Sequence, residues 1–348
     1  MKHAWIAAVV AAVTVVGGAN AEVPTYSVGW GACPFGTEWI VGGYTAVQSG
    51  GVDGDGNPIF LNQGTWSKTW TEPQPVQWVI WDAYGEHSNQ SGPISVKVSN
   101  TGNDAVDWVT LTDISYFSCN TVGAPNPPFS VRTPNTGILM NLGMNAAYGV
   151  RFESIATRDA YFRLGRVDCL TENPGVNLAA GATFGAYNEN GAMAIGTRGA
   201  PNWGPERLFD GMDYGDGTTW RGSTDDEHHA GVVFESPVTV AALRFSLDSW
   251  DRFATWGWTD FYLEILPPGG DWEDEDAWVR AAGQAGATSE YYWVDMGGMK
   301  LSGVRIAGTT GANHCIVAEM QVWSGVPVPE PATMSLLALG GLALLRRR

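Results

Sequence analysis

The sequence predicts an all-β protein made of two tandem antiparallel β-sandwich or jelly-roll domains. Three observations carry this. Gly supplies 45 and Trp 17 of the 348 residues, while charged residues are only 16%. That composition suits many tight turns between short apolar strands rather than surface helices rich in Lys and Glu. The apolar residues alternate over short runs, the period of a strand with one buried face. Those runs are separated by Gly, Pro and Asn clusters that turn the chain.

The elements follow in order. Val76 to Trp81 is a strongly apolar strand. Ile94 to Val98 alternates, Asn100-Thr101-Gly102-Asn103 turns, and Trp108 to Leu111 returns. Tyr148 to Phe152 and Tyr161 to Val167 complete the first half. Leu164 to Leu170 reads as a closing strand, and Glu172-Asn173-Pro174-Gly175 as a turn-rich linker. This places a first domain at 22–172 and a second at 176–324, each of ordinary domain size. Val150-Arg151-Phe152 and Arg163 to Val167 hint that the first half is a distant copy of the second. In that second half, Val232-Val233-Phe234, Val238 to Leu247, Thr259 to Ile265, Val304-Arg305-Ile306 and Ile316 to Trp323 read as strands.

Both ends read as addresses. Residues 1–21 have a short basic start, an apolar run from Ala4 to Val16, and Ala19-Asn20-Ala21, the pattern of a cleaved secretory signal peptide. Residues 326–348 hold Pro329-Glu330-Pro331, a short apolar stretch from Ala332 to Leu345, and Arg346-Arg347-Arg348. The stretch is short for a spanning helix, and the Arg run holds its end on the cytoplasmic side. This order resembles the PEP-CTERM sorting signal of Gram-negative bacteria, read by an exosortase. The resemblance implies export, transient membrane insertion of the tail, and delivery to the cell surface or an extracellular matrix.

The order of elements in the second half also resembles a known family. Asn177-Leu178-Ala179 opens it, Asp210-Gly211 and then Thr219-Trp220 follow, and Thr259 to Ile265 leads through a Pro-Pro-Gly-Gly turn to Trp272. Together with Val304-Arg305-Ile306 and Ala318 to Val322, these pieces resemble a discoidin-like (coagulation-factor C-type) domain of the galactose-binding-like fold. The resemblance implies an eight-stranded sandwich that binds glycans, lipid headgroups or proteins through loops at one end, without catalysis of its own. It also implies one structural Ca²⁺, with Asp210, Asp213, Asp216, Thr219 and Glu319 as candidate ligands. Ca²⁺ takes six to eight oxygens, which carboxylates and turn carbonyls can supply. The alternative is a polar turn in which Asp and Gly make the bends.

A sugar site pairs an aromatic platform with planar hydrogen-bonding groups. Asp248 to Trp258 holds those types between two strands, so Trp250, Arg252 and Trp256, with His229 from the preceding segment, form the candidate carbohydrate-binding set. The alternative is that these Trp rings fill a core. The acidic run Asp271 to Asp276, less its Trp272, reads as a solvated loop.

The four cysteines, Cys33, Cys119, Cys169 and Cys315, form no CxxC pair, which excludes a zinc ribbon or a thioredoxin-type site. An oxidising compartment permits disulfides, with Cys119–Cys169 as the candidate and Cys33 and Cys315 as buried thiols. A formal charge of −17 argues against nucleic acid as a partner. No nucleophile elbow, zinc-protease helix, Walker loop or dinucleotide fingerprint is present. The function expected is binding rather than catalysis: an exported surface or matrix protein that binds polysaccharide or another glycan. A structural or adhesive surface protein without specific sugar binding is the alternative. A polysaccharide hydrolase with its site in the first domain is a remoter one, because two carboxylates suffice for that chemistry.

Overall fold

The computed structural model describes residues 26–31, 33–36, 40–41, 65–84, 90–91, 94–101, 107–114, 117–118, 138–154, 164–197, 204–209, 212–214, 220–221, 228–247, 258–284, 291–310 and 316–325. The strands of the first half are β1 (Gly29–Trp30), β2 (Ile40–Val41), β3 (Thr65–Tyr84), β4 (Gln90–Ser91), β5 (Ile94–Ser99), β6 (Trp108–Ile114), β7 (Phe117–Ser118), β8 (Ile138–Ser154) and β9 (Leu164–Leu170). Those of the second are β10 (Thr183–Phe184), β11 (Ala192–Gly196), β12 (Met212–Tyr214), β13 (Trp220–Arg221), β14 (His228–Leu247), β15 (Trp258–Leu266), β16 (Val279–Gln284), β17 (Tyr291–Thr310) and β18 (Ile316–Trp323). Two short 3₁₀ turns, Pro205–Phe209 and Glu275–Ala277, are the helical elements among the described residues. The fold is all-β, as the turn-rich composition predicts.

Four unusually long strands build both sandwiches. β14 and β17 run antiparallel for most of their lengths, but their register breaks between Val233 and Val238. Glu235, Ser236 and Pro237 stand exposed at that break. Pro237 has no N–H for the ladder, so the pair turns a corner there. The first part of β14 and the last part of β17 join β11, β15 and β16 in one layer. The last part of β14 and the first part of β17 join β18 and β1 in the other.

The two layers face each other. Val232, Phe261, Leu263 and Ile306 of one share a core with Leu243, Phe245, Tyr292 and Val322 of the other. Phe261 lies 6.4 Å from Phe245 and 5.6 Å from Tyr292, ring centre to ring centre. Phe245 and Tyr292 stack at 4.9 Å. Trp30 on β1 meets all three rings edge-on. Edge-to-face and offset packing of this kind adds to the free energy of burial.

The first half repeats the device. β3 pairs with β8 across register breaks between Thr69 and Val76. Glu72-Pro73-Gln74-Pro75 occupies that corner. Val96, Val98, Val150 and Phe152 of one layer pack on Val76, Val79, Val167 and Cys169 of the other.

Each half lends a strand to the other. Gly29 and Trp30 of β1 pair with Asp295 and Val294 of β17. Met212 and Tyr214 of β12 pair in parallel with Ala83 and Tyr84 of β3. Between the halves, Phe35, Ile80, Leu170, Ala242, Trp293 and Trp323 form a separate buried cluster. Beside it Arg244 Nε donates to Asp168 Oδ2, with side chains 1% and 0% exposed. Arg244 Nη1 also donates to Gln321 Oε1 at 3.1 Å. Cys169 is a free, fully buried thiol rather than half of the expected Cys119–Cys169 bridge. Its surroundings are the Val and Phe side chains of the core, and burial pushes the thiol well above its ordinary pKa, which disfavours the thiolate. Cys33 is half-buried. Cys119 and Cys315 lie outside the described residues.

Candidate functional site

The corner in β14 and β17 decides where the loops of the second sandwich begin. β14 starts at His228, opposite Gly308 near the end of β17. β15 starts at Trp258, opposite Thr310. β16 ends at Gln284, opposite Phe261. In the other layer, β14 ends at Leu247, opposite Val317 near the start of β18, and Ser246 faces Tyr291 at the start of β17. The Phe261, Phe245 and Tyr292 rings stack these two layers at the same level. The chain therefore leaves and re-enters the sandwich at one end for the segments 222–227, 248–257, 285–290 and 311–315. Trp250, Arg252 and Trp256 belong to the second of these and lie outside the described residues.

His229 is described and stands half-buried at that end, opposite Ala307. Its carbonyl accepts from the Thr197 amide at 3.0 Å and from Thr197 Oγ1 at 3.3 Å. Its neighbour His228 is buried, with Nδ1 at 3.2 Å from Thr197 Oγ1. Of the candidate calcium ligands, Glu319 is buried on β18 opposite Ser246, and Gln321 Nε2 donates to its Oε1 at 3.5 Å. Asp213 lies on β12 beside β3, between Met212 and Tyr214. β13, which follows that segment, pairs with the start of β18 through Trp220 and Val317. Asp210, Asp216 and Thr219 lie outside the described residues. So do residues 1–21 and 326–348, with Pro329, Glu330, Pro331, Arg346, Arg347 and Arg348.

The outer face of the first layer holds a charged cluster. Arg305 Nε donates to Glu264 Oε2 at 2.5 Å, and its Nη2 to Glu275 Oε2 at 2.5 Å. Its guanidinium lies 4.3 Å from the centre of the Trp278 ring. Arg280 covers the Tyr262 ring at 3.6 Å. The hydrogen bond from Arg305 holds Glu275 below the usual carboxylate range, with the charges of Arg305 and His229 acting the same way. The acidic run expected to be merely solvated is therefore partly structural. Glu275 clamps Arg305, while Asp271 and Asp274 accept from the amides of Glu273 and Asp276 to shape the turn.

Sequence reasoning missed the Asp168–Arg244 pair. The signal was alternation: Val167-Asp168-Cys169-Leu170 and Leu243-Arg244-Phe245 put both charges on the face away from their own core. That face reads as solvent-exposed until a second sheet covers it.

Residues 327–348 match the PEP-CTERM protein-sorting motif. A comparison with curated protein sequences finds no match. Among solved structures, one similar chain is chitosan-binding module 1 of a chitosanase/glucanase from Paenibacillus sp. IK-5, with 19% identity, 42% of this chain and 98% of that one covered, and a TM-score of 0.33. A Streptococcus pneumoniae fucose-binding module, SpX-3, has 15% identity, 42% and 96% coverage, and a TM-score of 0.34. A striped bass (Morone saxatilis) serum fucolectin has 11% identity, 84% and 97% coverage, and a TM-score of 0.33. By its own strands and cores the chain is an all-β double sandwich, and its C-terminus carries the sorting motif.

Proposed function

We propose that this is an exported protein of the Gram-negative cell surface or extracellular matrix that binds carbohydrate through the loop end of its second sandwich. The observation that carries the reading is the convergence of strand ends described above. Leu247, Trp258 and His229 all lie at that end, which supports a site built with Trp250, Arg252 and Trp256. An indole can stack on the apolar face of a sugar while Arg and His bond its hydroxyls. The sorting motif supports the placement at the surface and an exosortase as processing partner. The signal peptide at 1–21 and transient insertion of the tail belong to the same reading. Ca²⁺, held by Asp210, Asp213, Asp216, Thr219 and Glu319, acts as a structural staple between the β12 segment and β18. The role is recognition rather than catalysis.

The test is a glycan array probed with the mature chain, with and without Ca²⁺, beside a Trp250→Ala/Trp256→Ala variant. Saturable binding that disappears in the variant is the expected result. Loss on chelation alone assigns the metal a structural or bridging role. Absence of binding to every glycan overturns the reading and leaves a structural or adhesive protein.

A further inference from the structure

The two halves share more than a strategy. In the second sandwich the strands β14, β15, β16, β17 and β18 follow in the chain, and the pairing path is β18-β14-β17-β15-β16. In the first, β3, β5, β6, β8 and β9 follow, and the path is β9-β3-β8-β5-β6. Strand for strand these are one topology, and every pairing along both paths is antiparallel. The strand before the set also agrees, since β2 pairs with β9 as β13 pairs with β18.

The register agrees as well. Gly149-Val150-Arg151-Phe152 of β8 corresponds to Gly303-Val304-Arg305-Ile306 of β17. Each Gly sits opposite the last residue before the corner, Thr69 in one half and Val233 in the other. Each Arg faces the third residue from the end of the next strand, Lys97 or Glu264. Beyond it, Val98 meets Val109 as Ile265 meets Val279, each following a Trp in a Trp-Val pair. The guanidinium of Arg151 covers Trp108 at 4.1 Å, as that of Arg305 covers Trp278 at 4.3 Å. Both rings lie over the matching glycine. A Cβ on Gly149 would come within 2.8 Å of the Trp108 ring, and one on Gly303 within 3.1 Å of the Trp278 ring. A shared Gly, Arg and Trp at matched register on a shared path is the mark of a repeated unit.

The contact between the halves fixes how the copies point. Leu170, Ala242 and Trp323 share the cluster between them. Asp168 is two residues nearer the loop end of its own sandwich than Leu170. It bonds Arg244, which is two residues nearer the loop end of the other than Ala242. Moving along the contact therefore approaches both loop ends together. In the first sandwich, β4 and β7 pair at that end, joining the segments that follow β3 and β6.

From this we infer that residues 65–170 are a second copy of the module formed by 228–323, and that the chain presents two binding ends on one side to a polymer of repeating sugar units. The inference rests on the carbohydrate reading proposed above. Two ends held rigidly side by side turn the second contact into an intramolecular one, which raises retention on a polymer without any new contact.

The test is native mass spectrometry of the mature chain with galactose, fucose and a chitosan oligosaccharide at saturation. The expected result is two sugars per chain for at least one probe, falling to one in the Trp250→Ala/Trp256→Ala variant. One sugar per chain, falling to none in the variant, overturns the two-site arrangement and leaves the single-site lectin reading standing. No sugar bound from any probe overturns both.

Discussion

Replacing Asp168 with Ala leaves the Arg244 guanidinium buried between the sheets without its carboxylate. Both side chains are at most 1% exposed, so water cannot substitute for the missing partner. Breaking such a pair costs about 3–5 kcal/mol, because one charge stays buried and uncompensated. Gln321 Oε1 still accepts from Arg244 at 3.1 Å, which places the expected loss near the lower bound, about 3 kcal/mol. For a cooperative unit of this size that lowers Tm by roughly 6–12 °C. The assay is urea unfolding followed by Trp fluorescence, since Trp293 and Trp323 sit in the same contact. The double variant Asp168→Leu/Arg244→Met removes both charges and is expected to recover to within about 1 kcal/mol of the parent. A loss below about 1 kcal/mol for Asp168→Ala, the range of exposed pairs, refutes the assignment of a buried ionic contact.

Gly231→Ala is expected to be more destabilising than Gly149→Ala or Gly303→Ala in thermal melts. Its Cβ would lie 2.2 Å from the Val304 carbonyl and 2.5 Å from Arg305 Cα, backbone that cannot step aside; overpacking of this kind costs about 1–3 kcal/mol or more. Cys169 is expected to stay unlabelled by a thiol reagent at pH 8 in the native protein and to label on unfolding, because its thiol is buried and its pKa pushed up. Glu275 has a folded pKa below its unfolded value, so its contribution to stability is complete above the ordinary carboxylate range and is lost as pH falls through the folded value. Glu275→Gln is therefore expected to lower stability at neutral and alkaline pH, to leave it nearly unchanged at low pH, and so to flatten the acid side of a stability–pH curve. Trp30→Ala, which removes a half-buried ring from three edge-on contacts, is expected to cost about 3 kcal/mol and to loosen β1 in hydrogen exchange.

Strand positions were legible where alternation was clean. Ile94 to Val98, Val238 to Leu247 and Thr259 to Ile265 each fall inside a strand of the structure. The corners were not legible as corners. Glu235-Ser236-Pro237 reads as a break between two strands, whereas β14 continues through it and changes layers. Nor does alternation reveal the traded strands, because a two-residue strand such as Gly29–Trp30 has no period to detect. For the binding end, the sequence supplies the residue types and the strand register supplies their common anchor. The echo between the halves was visible in the letters only as Val150-Arg151-Phe152 against Val304-Arg305-Ile306, without the glycine before each. It gained weight only when the pairing put both copies against a Trp from the same relative strand.

The strand lent by the first half also sets an order of events during folding. Gly29 and Trp30 emerge from the ribosome long before their partners Val294 and Asp295. The second sandwich cannot close its aromatic core until β17 has been made, and contacts this distant in sequence form slowly. A chain that stays open until that partner strand arrives remains threadable for longer. For a protein addressed to the outside of the cell, slow closure favours passage across the membrane before the fold is complete.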